Sequence, residues 1–340
     1  MRLEKERIDI IIPWVDGNDL DWQKSKEKAE KEHNINMNAN SNVRYESWDN
    51  LQYIFRGIEK FMPWVDRVFF VTCGHLPSFL NLNNPKLRVI KHSDYIPDNY
   101  LPTFNSNVIE LNYHRIEELS NNFILFNDDC FPLRPLSASY YFINGIPCDE
   151  AIETPIIPIM SGEISKYTWN VRALNISLIN KNFNKREVQE KNSDKWFNEC
   201  YGSLLRRNES LSYWDNFVGF RDPHVPVALN KSTFEKVWGR ETEILDMTCM
   251  SKFRNMSCVN QWLMRYWQLC EGDFYPRRTV GKSFVVTIEN CKEIADIIRM
   301  QKEPMICINE ECTMEEFEII KKEINVALDE LLPDKSSYER

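Results

Sequence analysis

Four short apolar runs between residues 8 and 126 each end in polar or acidic residues, and that recurrence sets the expected fold. Ile8 to Val15 (IDIIIPWV) runs into Asp16-Gly17-Asn18-Asp19, and Val68 to Val71 precedes a loop with Gly74-His75. Leu87 to Ile90 ends in Lys91-His92-Ser93-Asp94, and the run from Phe123 breaks at Asn127-Asp128-Asp129. Short uncharged runs of this kind read as buried strands. Between them, Asp49 to Phe61 and Asn107 to Leu119 carry helical spacing. The second of these has Ile109, Tyr113, Ile116 and Leu119 on one side, with Asn105 or Ser106 as its cap. Strands alternating with helices predict an α/β fold with a mostly parallel sheet flanked by helices. The polar clusters then share the carboxyl edge of the sheet, where open α/β sheets bind ligands.

Beyond residue 150 the pattern loosens into a more irregular, helix-rich C-terminal half. Residues 28–44 are polar and Asn-rich, which suggests an excursion beside the ligand edge. The charged stretch Asn180 to Asp194 reads as an exposed helix or loop, a solvated surface element. Trp and Tyr are dense from Trp196 to Trp267, a pattern that suits a platform for sugar rings or an aromatic core equally. A final helix over 313–332 starts at Thr313, with Glu316 completing a capping box. Its stripe of Phe317, Ile320, Ile324, Leu328 and Leu331 predicts packing only.

Composition narrows the function classes. The chain has 340 residues, with Lys+Arg 42 against Asp+Glu 51 and a net charge of -9, so it is not built for nonspecific nucleic-acid binding. No window approaches the roughly 18 apolar residues of a membrane span, and the N-terminus has too short an apolar stretch for a signal peptide. A cytoplasmic location is therefore expected. The 10 Cys form no Cys-x-x-Cys pair or zinc pattern and read as reduced and mostly buried. The sequons at Asn175, Asn208, Asn230 and Asn255 are then chance matches.

The chemistry concentrates in FILFNDDCFPLR. Asp128 and Asp129, with Asn127 beside them, offer oxygen ligands of the kind that hard cations such as Mg²⁺ prefer, although an Asp-Asp pair after a strand also serves as a turn or a helix cap. Glu110 and His114, four apart, share a helix face and could hydrogen bond, or could simply form a solvated face. The free amides of that helix start would suit a phosphate.

The strings IDIIIPWVDGND, RGIEKFMPWVDRVFFVTCGHLPSFL, LPTFNSNVIELNYHRI and FILFNDDCFPL resemble the first two signature blocks of the Stealth family, the hexose-1-phosphate transferases of microbial capsule synthesis. These are related to the catalytic part of N-acetylglucosamine-1-phosphotransferase. HVPVALNKSTFEKVW with SKFRN is similar to the third block and MICINEECTMEEF to the fourth, which here reads Asn309-Glu310 where Asn-Asp is usual; Ser47 stands where an acid is common. The resemblance implies a GT-A-like, Rossmann-like domain. Its N-terminal part is 1–150, an insert or acceptor-side region is 151–222, and 223–340 completes the site. It also implies transfer of a sugar-1-phosphate, N-acetylhexosamine-1-phosphate by preference, from a UDP-sugar to a hydroxyl of a growing capsular or cell-surface polysaccharide. The product would be a phosphodiester and the leaving group UMP. Mg²⁺, with Mn²⁺ as the alternative, would sit on Asp128, Asp129 and Asn309. Asp16, Gly17, Asn105, Ser106 and His114 would bind the donor, Arg254 would neutralise phosphate oxygens, and the base would be His224, Glu110 or His114. The partners would be the UDP-sugar, the glycan acceptor and, peripherally at the inner face of the cell membrane, a capsule-assembly complex. Two other readings are an inverting glycosyltransferase releasing UDP and a noncatalytic sugar-binding assembly protein.

Overall fold

A computed structural model of the protein describes residues 7–33, 47–158 and 163–340. The first apolar run is strand β1 (Ile8–Pro13), and helix α1 (Leu20–Glu32) follows it. Asp19 caps α1, its carboxylate accepting from the Trp22 amide at 2.7 Å. Helix α2 (Leu51–Phe61), strands β2 (Val68–Thr72) and β3 (Leu87–Lys91), helix α3 (Ser106–Leu111) and strand β4 (Asn122–Leu125) come next. The polar excursion expected over 28–44 begins inside α1 and from residue 34 lies outside the described residues.

After a tight turn, strand β5 (Cys130–Pro132) leaves the sheet, and the long helix α4 (Glu163–Asn182) opens the middle region. Strand β6 (Val227–Asn230) returns to the sheet and leads into helix α5 (Lys231–Arg240). Helix α6 (Trp262–Glu271), strand β7 (Lys282–Val286), helix α7 (Cys291–Arg299), strand β8 (Met305–Glu310) and helix α8 (Met314–Leu331) complete the chain.

The main sheet has the order β3-β2-β1-β4-β6. Its first four strands are parallel, and β6 runs antiparallel beside β4. This is a mostly parallel α/β sheet flanked by helices. The chain moves outward from β1 to β2 and β3 and then crosses to the other side of β1 for β4, so the strand order switches between β1 and β4. A crevice opens at the carboxyl ends of strands at such a point. Both polar clusters, Asp16 to Asp19 and Asn127 to Asp129, follow those two strands.

Strands covered on both faces alternate between two cores. Ile10, Ile12, Val68, Phe70 and Ile124 face α2, α7 and α8. Ile11, Phe69, Val71, Phe123 and Leu125 face α3, α5 and α6. Gly57 lets α2 lie close against β5, since a Cβ there would stand 2.9 Å from the Pro132 carbonyl oxygen. β5 pairs antiparallel with β8, which pairs with β7. A strand from residue 305 onward is thereby fixed beside the turn after β4.

Some expectations change. The second helix was expected to reach Leu119 but stops at Leu111. There Asn112 donates its amide to the Val108 carbonyl and accepts from Arg115 Nε, both at 2.8 Å, and ends the turn. Ile116 and Leu119 are buried from the segment that follows. Asn180 to Asp194 is only partly a solvated element: within its helix Lys185–Lys191, Lys185 is buried and pairs with the equally buried Glu153 at 2.9 Å. Most aromatics expected as platform or core are core, with Trp196 and Tyr266 wholly buried. The last helix has its capping box, the Thr313 amide donating to Glu316 at 2.8 Å, and buries Phe317, Ile320, Ile324 and Leu328. No helix among the described residues is long and apolar enough to cross a membrane.

Candidate active site

β4 delivers the acids to the crevice. The Phe126 amide donates to the Ile11 carbonyl at 2.9 Å, the last rung between β4 and β1, and the Cys130 amide then closes a turn onto the Asn127 carbonyl at 3.3 Å. Asp128 and Asp129 occupy the turn's two central positions. Asp128 is exposed and Asp129 half-buried. The Ile308 amide donates to the Asp129 carbonyl at 3.0 Å, so β8 pins the turn from below.

His224 reaches the same place from the third block. Its backbone lies in the left-handed region at φ 49, and its Nε2 stands 3.8 Å from Asp129 Oδ2. Asp129 first, and then the Cys307 thiol, raise the imidazole to about 10. His224 is thus a cation at neutral pH in the metal-free protein, and a cation accepts no proton.

Glu110 lies on α3 at the end of the crevice. Burial raises its carboxyl to about 7, against the opposing pull of Arg254 and His224. A carboxyl with that value, set between two cations in a crevice, has the properties of a general base. Arg254 is exposed, donates from Nη2 to Ser106 Oγ, and lies 5.7 Å over the Tyr167 ring. Tyr167 in turn accepts from Asn107 Nδ2 at 2.6 Å.

On the other side of the crevice the Asp16 amide donates to His75 Nε2 at 2.7 Å, while Asp16 Oδ1 accepts from the Asn18 amide at 2.9 Å. Burial lowers the His75 imidazole, in keeping with its neutral, accepting Nε2. Gly17 accepts from Gln23 at 2.8 Å through its carbonyl and adds no side chain to the opening. The Trp22, Phe104 and Phe253 rings, at 5.8 and 5.4 Å, link α1 to the loop carrying Arg254.

Two expected donor contacts are corrected. Asn105 is wholly buried. Its oxygen caps α3 through the Asn107 amide, and its amide donates to the Ser251 and Phe253 carbonyls at 3.3 and 3.4 Å, so nothing is left for a ligand. His114 lies outside α3, packed on the Phe234 and Trp238 rings at 6.2 and 5.6 Å, near Lys231 and the amino-terminal end of β4. Burial lowers it to about 4. It shares no helix face with Glu110, and it is removed from both the donor set and the choice of base. The short α3 also leaves little of the amide array expected for a phosphate, its first amides being engaged by Asn105.

The residues next to Asp129 fit a hard cation better than a soft one. One ligand atom each from Asp129, Cys130 and Cys307 lies within 4.8 Å of the others. Burial raises the Cys130 thiol well above its usual range, so it stays protonated and offers no thiolate. The Asp129 carboxylate is the hard oxygen ligand of that group. Asn309, two residues beyond Cys307 on β8, directs its amide toward Cys307 Sγ at 3.5 Å and Ser283 Oγ at 3.4 Å, which leaves its carbonyl oxygen as a ligand. His75 stands on the ligand edge as the Gly74-His75 loop led one to expect, while Cys307, Tyr167 and the buried Tyr113, whose hydroxyl lies near Glu110 and Asp128, carried no sequence assignment to the site. For Cys307 the place in MICINEECTMEEF, two before Asn309, was the available signal.

Residues 6–34 match conserved region 1 of the Stealth proteins, and residues 44–148 match conserved region 2. Similar proteins include the capsular polysaccharide phosphotransferase WcwK of Streptococcus pneumoniae, 40% identical over 336 residues that span 98% of each chain. The exopolysaccharide phosphotransferase cps2G of Lactiplantibacillus plantarum is 36% identical, over 98% of this chain and 96% of its own. The receptor polysaccharide phosphotransferase WefC of Streptococcus oralis is 34% identical, over 98% and 99%. The solved glycosyltransferase GlyE of Streptococcus pneumoniae superposes with a TM-score of 0.22 at 8% identity, covering 93% of this chain and 79% of its own, too loosely to carry meaning for the fold. With full-length relatives at this identity and both signature regions matched, the chain belongs to the Stealth family.

Proposed function

We propose that the protein transfers a sugar-1-phosphate, N-acetylhexosamine-1-phosphate by preference, from a UDP-sugar to a hydroxyl of a capsular or cell-surface polysaccharide. The observation that carries this is the convergence of Glu110, Arg254, His224 and the Asp128-Asp129 turn on the crevice between β1 and β4. Relatives described as polysaccharide phosphotransferases over 98% of the chain support it. Attack falls on the β-phosphorus, next to the sugar. The acceptor oxygen bonds to phosphorus, the bond to the bridging oxygen breaks, and UMP leaves while the acceptor gains a phosphodiester.

Such a transfer needs charge neutralisation and positioning. Arg254, held by Ser106 and Tyr167, faces the phosphate oxygens, and His224 faces them from the other side. Asp16 and Gly17 line the nucleotide end. Glu110 takes the hydroxyl proton, since its carboxyl is half ionised near pH 7. Asp128, Asp129 and Asn309 would hold Mg²⁺, which when bound supplies further charge neutralisation at the pyrophosphate. A cation there would draw Asp129 away from His224 and bring the imidazole back toward its ordinary value, which makes His224 the second candidate for the base. The enzyme would work in the cytoplasm, at the inner face of the membrane where the acceptor is assembled.

The released nucleotide tests the reading. With UDP-N-acetylhexosamine, Mg²⁺ and an oligosaccharide acceptor, chromatography should detect UMP equimolar with product. Release of UDP would make the protein an inverting glycosyltransferase instead, and no release with Mg²⁺ or Mn²⁺ would leave a sugar-binding role.

A further inference from the structure

The chain is acidic overall, with a net charge of -9, yet one open cleft of about 610 Å³ is lined by Arg221, Arg277, Arg278 and Lys282, with Glu303 as the acid among its lining residues. The carboxylates behind the cleft do not balance these cations. Asp149 is engaged by the buried Arg265 at 2.7 and 2.8 Å. The wholly buried Glu150 serves both Arg221 and Arg278, the latter at 3.6 Å. Arg277 lies 5.3 Å over the Tyr140 ring, and Lys282 lies 4.8 Å over the Phe284 ring. Burial first, and then Arg278 and Arg265, hold the Arg221 guanidinium below its ordinary range against the opposing pull of Asp222 and Asp149. Forked guanidiniums beside a lysine suit phosphate oxygens.

The cleft adjoins the crevice on its far side. A narrower cavity shares Tyr140, Arg278, Thr279 and Val280 with it and continues to Pro223 and Val225, the neighbours of His224, and to Val227 and Ala228. Those last two belong to β6, at one edge of the sheet, whereas Asp16 and His75 follow β1 and β2 across it. The nucleotide end and the cationic cleft therefore lie on opposite sides of His224.

We propose that this cleft is an acceptor subsite for a phosphate ester already carried by the glycan, with Arg277, Arg278 and Lys282 gripping the phosphate while the acceptor hydroxyl reaches the crevice past His224. The assignment of the ligand to the acceptor rests on the phosphotransferase reading; the anion site itself does not. The phosphate has two sources of the same chemistry, an internal phosphodiester of the growing glycan or a diphosphate ester at its end.

Calorimetry on the whole chain without donor tests it, using inorganic pyrophosphate, a disaccharide with an internal phosphodiester, an alkyl diphosphate ester of the same disaccharide, and the phosphate-free disaccharide. The double variant Arg277→Ala, Lys282→Ala should bind pyrophosphate at least about tenfold more weakly, a change of about 1.4 kcal/mol. It should lose affinity equally for whichever phosphorylated disaccharide is the source, and Arg277→Lys should lose less than Arg277→Ala because the charge is kept. In turnover, KM for the phosphorylated acceptor should rise while KM for the UDP-sugar holds. Unchanged pyrophosphate affinity, an equal loss for the phosphate-free disaccharide, or a rise in the donor KM instead would overturn the proposal. The binding arms need no turnover, so they stand or fall apart from which nucleotide is released.

Discussion

At the scale of single residues the decisive group is Glu110, because its carboxyl is held near 7 by burial while two cations pull the other way. A base of this kind makes the rate rise with pH through about 7, the acidic limb reporting its deprotonation. Glu110→Gln should cost about 10²- to 10⁴-fold in kcat, leave the donor KM little changed, and erase that limb. Stability should move the opposite way. An unfolded Glu releases its proton near its ordinary value of 4.5 and the folded one near 7, so between these values the folded state binds more protons and loses stability as pH rises. The Gln variant escapes that loss, and at pH 8 it should melt no lower than the parent while being nearly inactive. A melting temperature several degrees lower, or a retained acidic limb, would move the proton to His224. Asp128, Asp129 and Glu110 were legible in the sequence because strand ends and cap positions are local patterns. Asn105 was legible as the cap of α3, but the engagement of its amide and the place of His114 were not. Their partners, Ser251 and Phe253 for one and Phe234 and Trp238 for the other, lie more than a hundred residues away in sequence.

At the scale of elements, α3 and the segment before Arg254 behave as one unit. Asn105 caps the helix with its oxygen and holds the Ser251 and Phe253 carbonyls with its amide, all from a buried position. Asn105→Ala should cost at least the roughly 0.5–2 kcal/mol of a lost cap and more for the carbonyls left unpaired. It should also release Arg254 from Ser106, raising the donor KM, although Asn105 touches no substrate. Denaturant unfolding with donor kinetics on the same variant checks both, and a stability loss with an unchanged donor KM would separate the cap from the site. The strands of the sheet and the capping box of α8 could be read directly, because each depends on residues a few positions apart. The early end of α3 could not. Ile116 and Leu119 keep a helical spacing, yet Asn112 turns its side chain onto the Val108 carbonyl and stops the helix before they are reached.

At the scale of the whole molecule, a mostly parallel sheet was implied by alternating strands and helices, but not its strand order with the switch between β1 and β4. The antiparallel β6 at the edge was not, and neither was the second sheet that sets β8 against β5. Those long-range pairings bring the third and fourth blocks to the first two. Asp129, His224 and Cys307 then meet around one turn, with the loops carrying Asp16 and His75 on one side of His224 and the cationic cleft on the other. The proposed transfer breaks a pyrophosphate between two anchored ends. The most direct test follows the phosphorus itself: supply a UDP-sugar labelled at the β-phosphorus with acceptor and Mg²⁺, and locate the label after turnover by mass spectrometry and ³¹P resonance. The account predicts that the label joins the glycan as a phosphodiester between sugar and acceptor. Label retained on the nucleotide, with an unlabelled glycosidic product, would contradict it.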